Sequence, residues 1–361
     1  MEKYRVGIVG ATGMVGQRFI SLLKDHPWFE VNCVAASARS AGKTYREAVG
    51  ERWAFSWEIP EKVAGMTVVD AADIDEVSKH VDFVFCAVDM KKDEIRALEE
   101  AYAKHEIPVV SNNSACRGIE DVPMVVPEIN ADHLAVIEAQ KKRLGTKNGF
   151  IAVKPNCSIQ SYVPALTPLL EFEPEKVSVC TYQAISGAGK TFKTWPEMVD
   201  NVIPYIGGED EKSENEPLKL WGHVEDGKIV NAALPVISAQ CLRVACSDGH
   251  MAAVSVSFKK KPTIEQIKER WANYETEAQR LELPSAPKPF LQYFEDPSRP
   301  QTRLDRDFQN GFGVSIGRLR EDKLFDYRFV CLSHNTVRGA AGGGILTAEL
   351  LCRKGYIPHR V

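Results

Sequence analysis

The sequence lacks the features of a membrane-spanning, secreted or nucleic-acid-binding protein. No apolar segment reaches the ~18 residues that a transmembrane helix needs, and the first predicted strand begins near Tyr4, which leaves no room for a signal peptide. The formal net charge of the 361 residues is -4, without a polybasic arm or an acidic tail. We therefore expect a cytoplasmic globular protein with neither nucleic acid nor membrane as a partner.

The sequence also lacks the cysteine pairs of a disulfide framework or a zinc site. Its nine cysteines form no C-x-x-C pair, and their number is odd. Several lie inside apolar, strand-like runs such as FVFCAV and VSVCTY, where cysteine behaves as a small hydrophobic residue. No metal is therefore expected.

The length suggests two domains, and the pattern of the sequence changes near residue 155. Before this point strands alternate with helices, which is typical of a parallel sheet covered on both faces. After it, longer alternating strands such as HMAAVSVSF indicate a sheet with one buried face. We predict an α/β protein with an N-terminal Rossmann-like dinucleotide-binding domain at 1–155 and an α+β catalytic and dimerisation domain with a mixed sheet at 156–335.

Three further expectations concern the second half of the chain. The segment RGAAGGGILTAELLCRKGY is a glycine turn and a helix with no sheet of its own, so we expect residues 336–361 to complete the first domain. A helix is predicted from about Thr263 to Leu281. A large second domain with one sheet face to cover favours a homodimer or homotetramer.

The first strand leads into the glycine motif GATGMVG at residues 10–16. Its first two glycines permit a tight turn and close approach to a pyrophosphate, and the third permits close packing of helix on strand. A merely tight strand-to-helix turn would use glycine as well, but the flanking strand and helix favour nucleotide binding. The predicted contacts are Gly10, Thr12, Gly13, Met14, Val15 and Gly16.

The end of the second strand favours NADP over NAD. An NAD site expects an acidic residue about 20 positions further along, whereas this chain reads ASARSAGK there. Hydroxyl groups and cations suit a 2′-phosphate, and the candidates are Ser37, Arg39 and Ser40, with Lys43 nearby. NADP is therefore the predicted cofactor.

The segment AISGAGKT at 184–191 resembles a Walker A loop but departs from its pattern. Ala184 stands where the pattern requires glycine, and Pro196 falls early in the expected phosphate-binding helix. An ATP-dependent phosphotransferase is therefore the weaker alternative. We instead expect this backbone to pass close to a bound nicotinamide or substrate, with Ser186 and Gly187 as cofactor contacts.

Cys157 lies between a short apolar run closed by Pro155 and a longer run with helical spacing. In the first turn of a helix the macrodipole would favour the thiolate and so increase the nucleophilicity of the sulfur. The alternative is a cysteine that serves only as a small core residue.

The run QCLRVACSDGHMAAVSVSF contains a second pair of candidates. Its turn signal, Asp248-Gly249, separates two strand-like segments, so Arg243 and His250 can share one end of a sheet. A cation that binds a carboxylate and an imidazole that moves a proton would then be neighbours.

Eight motifs follow one another along nearly the whole chain: GATGMVG, ASARSAG, SNNSACR, VPEIN, PNCS, YQAISGAG, R-x6-H with DGH, and HNTVRGAAGG. Their kind and order resemble the aspartate-semialdehyde dehydrogenases, and more the archaeal and fungal branch than the common bacterial one. The resemblance implies reduction of L-4-aspartyl phosphate to L-aspartate 4-semialdehyde with NADPH and release of phosphate. This reaction belongs to the route to lysine, methionine and threonine.

The resemblance also implies roles for the residues that match these motifs. Cys157 resembles the nucleophile and His250 the acid/base. Asn156 and Gln183 resemble the residues that orient the acyl group, and Arg243 resembles the residue that binds the substrate α-carboxylate.

The remaining matches concern the phosphate, the amino group and the nicotinamide. Arg117 and Lys212 resemble the phosphate-binding pair, and Glu209 resembles the residue that faces the substrate amino group, with Glu211 as a competitor for that role. Asn335 and Gly339 resemble nicotinamide contacts.

Two alternatives remain open. An acyl-CoA reductase of the malonyl-CoA type would keep Cys157 and His250 but release CoA, and phosphate ligands at Arg117 and Lys212 argue against it. A nucleotide-sensing protein without turnover would need no combination of cysteine, arginine and histidine of this kind.

Overall fold

The computed structural model describes residues 2–359, which fold around two main β-sheets. Met1 and residues 360–361, which the sequence assigns to the first domain, lie outside the described residues. Strands β1 to β6 are Tyr4–Val9, Phe29–Ala36, Val69–Asp70, Phe83–Cys86, Val109–Ser111 and Ile151–Val153. Helices α1 to α6 are Met14–Leu23, Tyr45–Val49, Glu61–Ala64, Ile74–Ser78, Lys92–Lys104 and Ile137–Leu144.

These six strands form one parallel sheet in the order β3-β2-β1-β4-β5-β6. All four residues of β4 and the last four of β1 are buried, as expected for apolar strands covered on both faces. The strand order reverses between β1 and β4, and open α/β sheets bind ligands at the carboxyl ends of the strands at such a point. The predicted Rossmann-like architecture is confirmed.

The second half of the chain contains nine further strands and six further helices. Strands β7 to β15 are Pro174–Gln183, Val202–Ile203, His223–Glu225, Lys228–Val230, Val236–Val244, His250–Phe258, Leu291–Phe294, Val314–Glu321 and Tyr327–Ser333. Helices α7 to α12 are Val163–Leu166, Glu209–Leu220, Ile264–Ala272, Glu277–Arg280, Thr302–Asp305 and Gly342–Arg353. None of the helices within residues 2–359 has the length and hydropathy that a membrane crossing requires.

The second sheet has seven strands in the order β13-β14-β15-β12-β7-β11-β8. Strand β7 runs parallel to β11 and antiparallel to β12, so the sheet is mixed, as predicted. Buried and partly exposed residues alternate strictly along β12, which indicates different surroundings on its two faces.

Strand β7 separates the two strands that carry Arg243 and His250. The sequence suggested a simple turn between neighbouring strands, but β11 and β12 both pair with β7 instead. Arg243 lies opposite Gln183 at the end of β7, and Met251 lies opposite Tyr182. The two candidate residues therefore share one end of the sheet, with the end of β7 between them.

Helix α12 packs against the first sheet rather than the second. A Cβ at Gly344 would lie 2.9 Å from the ring of Phe19 on α1, and Phe19 in turn stacks on Phe85 of β4 with ring centroids 4.4 Å apart. Residues 336–359 thus contribute to the core around β1, while the domain limits at 155 and 335 stay a prediction.

The prediction of one helix from Thr263 to Leu281 is wrong. The structure has two helices, α9 and α10, and each begins with its own capping box. Thr276 accepts a hydrogen bond from the backbone N–H of Gln279, whose side chain in turn accepts one from the Thr276 N–H. This reciprocal pair starts a second helix where the apolar spacing alone continues the first.

Candidate active site

Cys157 and His250 face each other across the junction of the two sheets. The sulfur lies 3.5 Å from Nε2 of His250, which is the first residue of β12. Gly339, in the π-helical turn before α12, packs directly on the cysteine, because a Cβ there would lie 2.8 Å from the Cys157 Cβ. The arrangement places a nucleophile beside an imidazole, and any side chain larger than that of glycine at position 339 would collide with the cysteine.

The expected helix start at Cys157 is wrong. Residues 157–162 form turns, and α7 begins only at Val163. Burial raises the pKa of the Cys157 thiol and Glu209 raises it further, while Lys154, Arg117 and Arg243 act in the opposite direction. The free protein therefore holds a neutral thiol, not the thiolate that a helix dipole would favour.

The His250 ring is fully buried, and burial together with Arg243 holds its pKa well below the ordinary value. Its Nδ1 accepts a hydrogen bond from the backbone N–H of Ala184, at 3.0 Å. In the neutral ring the proton therefore resides on Nε2, the nitrogen that faces the sulfur. The geometry makes Nε2 a hydrogen-bond donor towards atoms at Cys157.

Glu209 is the centre of a hydrogen-bond network next to the thiol. Its carboxylate accepts bonds from Asn156 Nδ2 at 2.9 and 3.1 Å, from Gln183 Nε2 at 3.1 Å and from Lys212 Nζ at 2.7 Å. Burial would raise the pKa of Glu209, but these partners outweigh it and lower the pKa. The competing residue, Glu211, is exposed to solvent.

Arg243 lies on the other side of the same space. Its Nη1 donates to the carbonyl oxygen of Ala184 at 2.7 Å. A Cβ at Gly187 would lie 2.9 Å from this nitrogen and 3.0 Å from Nε2 of His250. The segment AISGAGKT thus forms a short 3₁₀ turn at Ile185–Ala188 that packs on Arg243 and His250. Residues 189–195 form turns and irregular backbone instead of the long helix that a phosphate-binding loop requires.

Arg117 and Lys212 line one cleft, of about 590 Å³. Arg117 is nine-tenths buried; its Nη1 lies 2.9 Å from Glu216 and its Nη2 donates to the Asn112 carbonyl at 3.2 Å. The buried Nε of Arg117 has no hydrogen-bond partner among the described residues. A guanidinium N–H without a partner in a cleft with a second cation suits an oxyanion.

The glycine motif has the backbone shape that a dinucleotide requires. Gly10 adopts a φ of +90°, and a Cβ at Gly16 would lie 2.3 Å from the Gly10 carbonyl oxygen, so the helix can approach the strand only with glycine there. The N-cap of α1 is Gly13, which has no side chain to occupy the helix N-terminus. Thr12, Met14 and Val15 are partly accessible beside it.

The other predicted cofactor residues lie on two sides of this motif. Ser37 and Arg39 follow β2 and are exposed, whereas Ser40 is buried in the turn. Asn335 joins two loops, donating to Ser186 Oγ at 2.8 Å and accepting from the Gly249 N–H at 2.8 Å. Met14 and Ser186 line a cavity of about 150 Å³. A pyrophosphate on α1, a 2′-phosphate near Arg39 and a nicotinamide towards Ser186 fit these residues.

Three residues of the candidate site and its surroundings were missed by the sequence reasoning. Lys154 is buried next to β6, and burial together with Arg117 lowers its pKa to about 7. Glu216 and Lys219 lie on α8 beside Lys212. Lys212, Glu216 and Lys219 have the i, i+4, i+7 spacing of one helical face, which is the signal that could have found them, although Pro217 within the run weakens it.

Two family models match this chain. The one described as "Semialdehyde dehydrogenase, NAD binding domain" matches residues 5–137, and the one described as "Semialdehyde dehydrogenase, dimerisation domain" matches residues 166–338. The matched ranges follow the two main sheets in turn.

Relatives that match nearly the whole chain point to the same family. The chain is 45% identical over 360 residues to an aspartate-semialdehyde dehydrogenase of Schizosaccharomyces pombe, covering 98% of this chain and 99% of that one. It is 43% identical over 357 residues to one of Archaeoglobus fulgidus, covering 98% and 100%. The crystal structure of the Candida albicans enzyme with NADP matches at a TM-score of 0.89 and 39% identity, covering 99% and 100%. Both the fungal and the archaeal resemblance are confirmed, and the chain belongs to the aspartate-semialdehyde dehydrogenase family.

Proposed function

We propose that this protein reduces L-4-aspartyl phosphate to L-aspartate 4-semialdehyde with NADPH, releasing phosphate. The observation that carries the proposal is the 3.5 Å approach of Cys157 Sγ to His250 Nε2 at the meeting point of a carboxylate-binding and a phosphate-binding group of residues. The names of the fungal and archaeal relatives support it. The product serves the synthesis of lysine, methionine and threonine.

Cys157 is the nucleophile in this proposal. Its sulfur attacks the acyl carbon, the C–S bond forms, and the bond from carbon to the phosphate oxygen breaks. The thiol proton leaves with the phosphate. The cations Arg117, Lys154 and Arg243 favour the thiolate at the moment of attack, although burial disfavours it at rest. The result is a thioester, which accepts hydride far more readily than a carboxylate.

Bound NADPH supplies the hydride that reduces this thioester. Asn156 and Gln183 orient the acyl group, and their own amides are held by Glu209. When the thiohemiacetal oxyanion collapses, the aldehyde leaves and the sulfur departs as a thiolate. The Nε2–H of His250 faces this sulfur and stabilises the departing thiolate by a hydrogen bond, and a proton from solvent restores the thiol. This hydrogen-bond donation by Nε2 matches the tautomer of the free protein.

The substrate is recognised by charge at three points. Arg243 binds the α-carboxylate with a planar guanidinium, Glu209 binds the α-ammonium, and Arg117 with Lys212 binds the phosphate. Glu209 is the better candidate than Glu211 because it is buried beside Asn156 while Glu211 is exposed. A ligand with this pattern of charges is an amino acid with a phosphorylated side chain.

The cofactor site uses the carboxyl end of the first sheet. Residues 10–16 would hold the pyrophosphate by backbone N–H groups. Ser37 and Arg39 would hold the 2′-phosphate of NADP, with Ser40 supporting them from within the turn. The nicotinamide would be held near Cys157 by Ser186, Gly187, Asn335 and Gly339. The NADP in the Candida albicans structure supports this choice of cofactor.

Two assays test the proposal together. Purified protein should reduce NADP with aspartate semialdehyde only when phosphate is present, and Cys157→Ala should lower this rate by at least about a thousandfold while NADPH binding, followed by fluorescence, is unchanged. NAD and CoA serve as control reagents. Dependence on CoA instead of phosphate would identify the acyl-CoA reductase alternative, and undiminished turnover by Cys157→Ala would exclude the thioester route.

We also propose a homodimer or homotetramer in the cytoplasm. The large apolar side chains of Tyr182, Val199, Val202, Tyr205 and Val236 are exposed in the part of the chain that the dimerisation-domain model matches. An apolar surface of this kind is typical of an obligate interface. Light scattering on the purified protein tests it, because a monomer at micromolar concentration would contradict the proposal.

A further inference from the structure

One face of α8 reaches towards the segment that carries Arg117. Lys212, Glu216 and Lys219 follow one another at helical spacing on this face. Lys212 binds Glu209 in the substrate site, whereas the other two side chains contact residues 117–122 and residue 156. The face therefore connects the proposed phosphate-binding arginine with the nucleophile segment.

Glu216 uses its two carboxylate oxygens for different partners. Oε1 accepts from Arg117 Nη1 at 2.9 Å, and Oε2 accepts from the backbone N–H of Asn156 at 2.5 Å. The side chain is 11% exposed. A buried carboxylate with two charge-assisted or backbone donors is held in one geometry, and it holds its partners in turn. Asn156 directly precedes Cys157, so the contact fixes the guanidinium relative to the thiol.

Lys219 holds the backbone of the same segment. Its ammonium donates to the carbonyl oxygens of Arg117 at 2.7 Å, of Ile119 at 2.7 Å and of Val122 at 3.0 Å. All three donors of the lysine are thereby used. The side chain of Arg117 is thus held by Glu216 and its main chain by Lys219, both from one helix.

We propose that Glu216 is a positioning residue for the phosphate subsite, which aligns the Arg117 guanidinium with the Asn156–Cys157 backbone. The inference rests on the proposed function, in which Arg117 binds the phosphate. A carboxylate this close to an oxyanion repels it, so charge alone would favour a neutral residue at 216. Glu216 instead contributes two acceptor oxygens, one for Arg117 and one for the Asn156 N–H, whereas glutamine at this position has only one.

Steady-state kinetics of the phosphate-dependent reaction distinguishes the positioning role of Glu216 from the effect of its negative charge. Glu216→Gln should raise the KM for phosphate about tenfold, equivalent to one lost hydrogen bond to a charged group, with little change in the KM for aspartate semialdehyde or NADP. Glu216→Asp keeps the charge but shortens the side chain, and it should raise the same KM. Tighter phosphate binding by Glu216→Gln, or wild-type kinetics for Glu216→Asp, would overturn the inference.

A matched control removes a carboxylate of the same cleft that does not bind Arg117. Glu120 lines this cleft and pairs with Lys228 at 2.9 Å. Glu120→Gln therefore reports the effect of charge loss alone, and it should leave the KM for phosphate unchanged or slightly lower it. An increase equal to that of Glu216→Gln would contradict a positioning role.

A binding assay keeps this test independent of turnover. Inorganic phosphate should protect Cys157 from iodoacetamide in the wild type, and about tenfold more phosphate should be needed in Glu216→Gln. Circular dichroism of each variant establishes that it is folded. If the wild type lacks phosphate-dependent turnover but retains protection, the proposed reaction fails and the alkylation comparison still decides the role of Glu216. Equal protection of both proteins, or none in either, would refute that role.

Discussion

The cofactor side and the catalytic side of this protein are built in different ways. The cofactor side consists of backbone: a glycine turn at residues 10–16, an uncapped helix start and a few exposed side chains after β2. The catalytic side consists of buried charged side chains that hold one another, with Glu209 and Glu216 each joining two or more partners. Backbone sites depend on local sequence, whereas the charged network depends on segments far apart in the chain.

Gly339 is an exception to this division, because it is a glycine on which the catalytic side depends. Gly339→Ala should lower kcat by about a hundredfold, the effect of displacing a reacting group by about 1 Å, because the new Cβ would approach within 2.8 Å of the Cys157 Cβ. The measurement is kcat of the phosphate-dependent reaction. Gly65→Ala, where the Cβ enters open space, is the control. An unimpaired Gly339→Ala enzyme would show that the sulfur is not confined there.

Arg39, which is exposed after β2, tests the contribution of a side chain to the cofactor side. Arg39→Gln should lower kcat/KM for NADP about tenfold, the equivalent of one hydrogen bond to a charged group, and should leave kcat/KM for NAD unchanged. Arg46→Gln removes another exposed arginine of the same region, which pairs with Glu61, and should preserve the preference. Equal losses with both cofactors would move the 2′-phosphate away from Arg39.

The smallest expected effect concerns the acidity of Cys157, which reports the influence of the buried charges on the catalytic side. Because burial and Glu209 raise the pKa of the thiol, its thiolate fraction at pH 7 should be below that of an ordinary exposed cysteine. The rate of alkylation by iodoacetamide should therefore keep rising through the alkaline range. A plateau of reactivity between pH 5 and 7 would instead reveal a thiolate paired with a protonated His250.

The sequence predicted the parts of the fold that depend on local patterns. GATGMVG between a strand and a helix indicated the dinucleotide fold, and the turn at Asp248-Gly249 brought Arg243 and His250 to the same end of a sheet. The insertion of β7 between their strands was not visible, because pairing over 60 or more residues leaves no local signal. The break between α9 and α10 was missed because a capping box outweighs apolar spacing.

The candidate site was predictable only in part. Cys157 and Arg117 could be named from short motifs. The ionisation of the thiol, however, follows from burial and from charged neighbours, of which Glu209 and Arg243 are more than 50 residues away in the chain. Glu216 was missed because its partners, Arg117 and Asn156, are 99 and 60 residues away in the chain. Interactions at such separations are set by the packing of α8, which no single stretch of sequence records.

The contact of Gly339 with Cys157 has a consequence for the order in which the enzyme matures. A ribosome synthesises the nucleotide-binding turn and the cysteine long before it reaches residue 339. Until that glycine emerges and the following helix docks on the first sheet, the sulfur of the nascent chain lacks the wall that confines it. The reactive centre is therefore completed only after residue 339 and the following helix have been synthesised and have folded onto the first sheet.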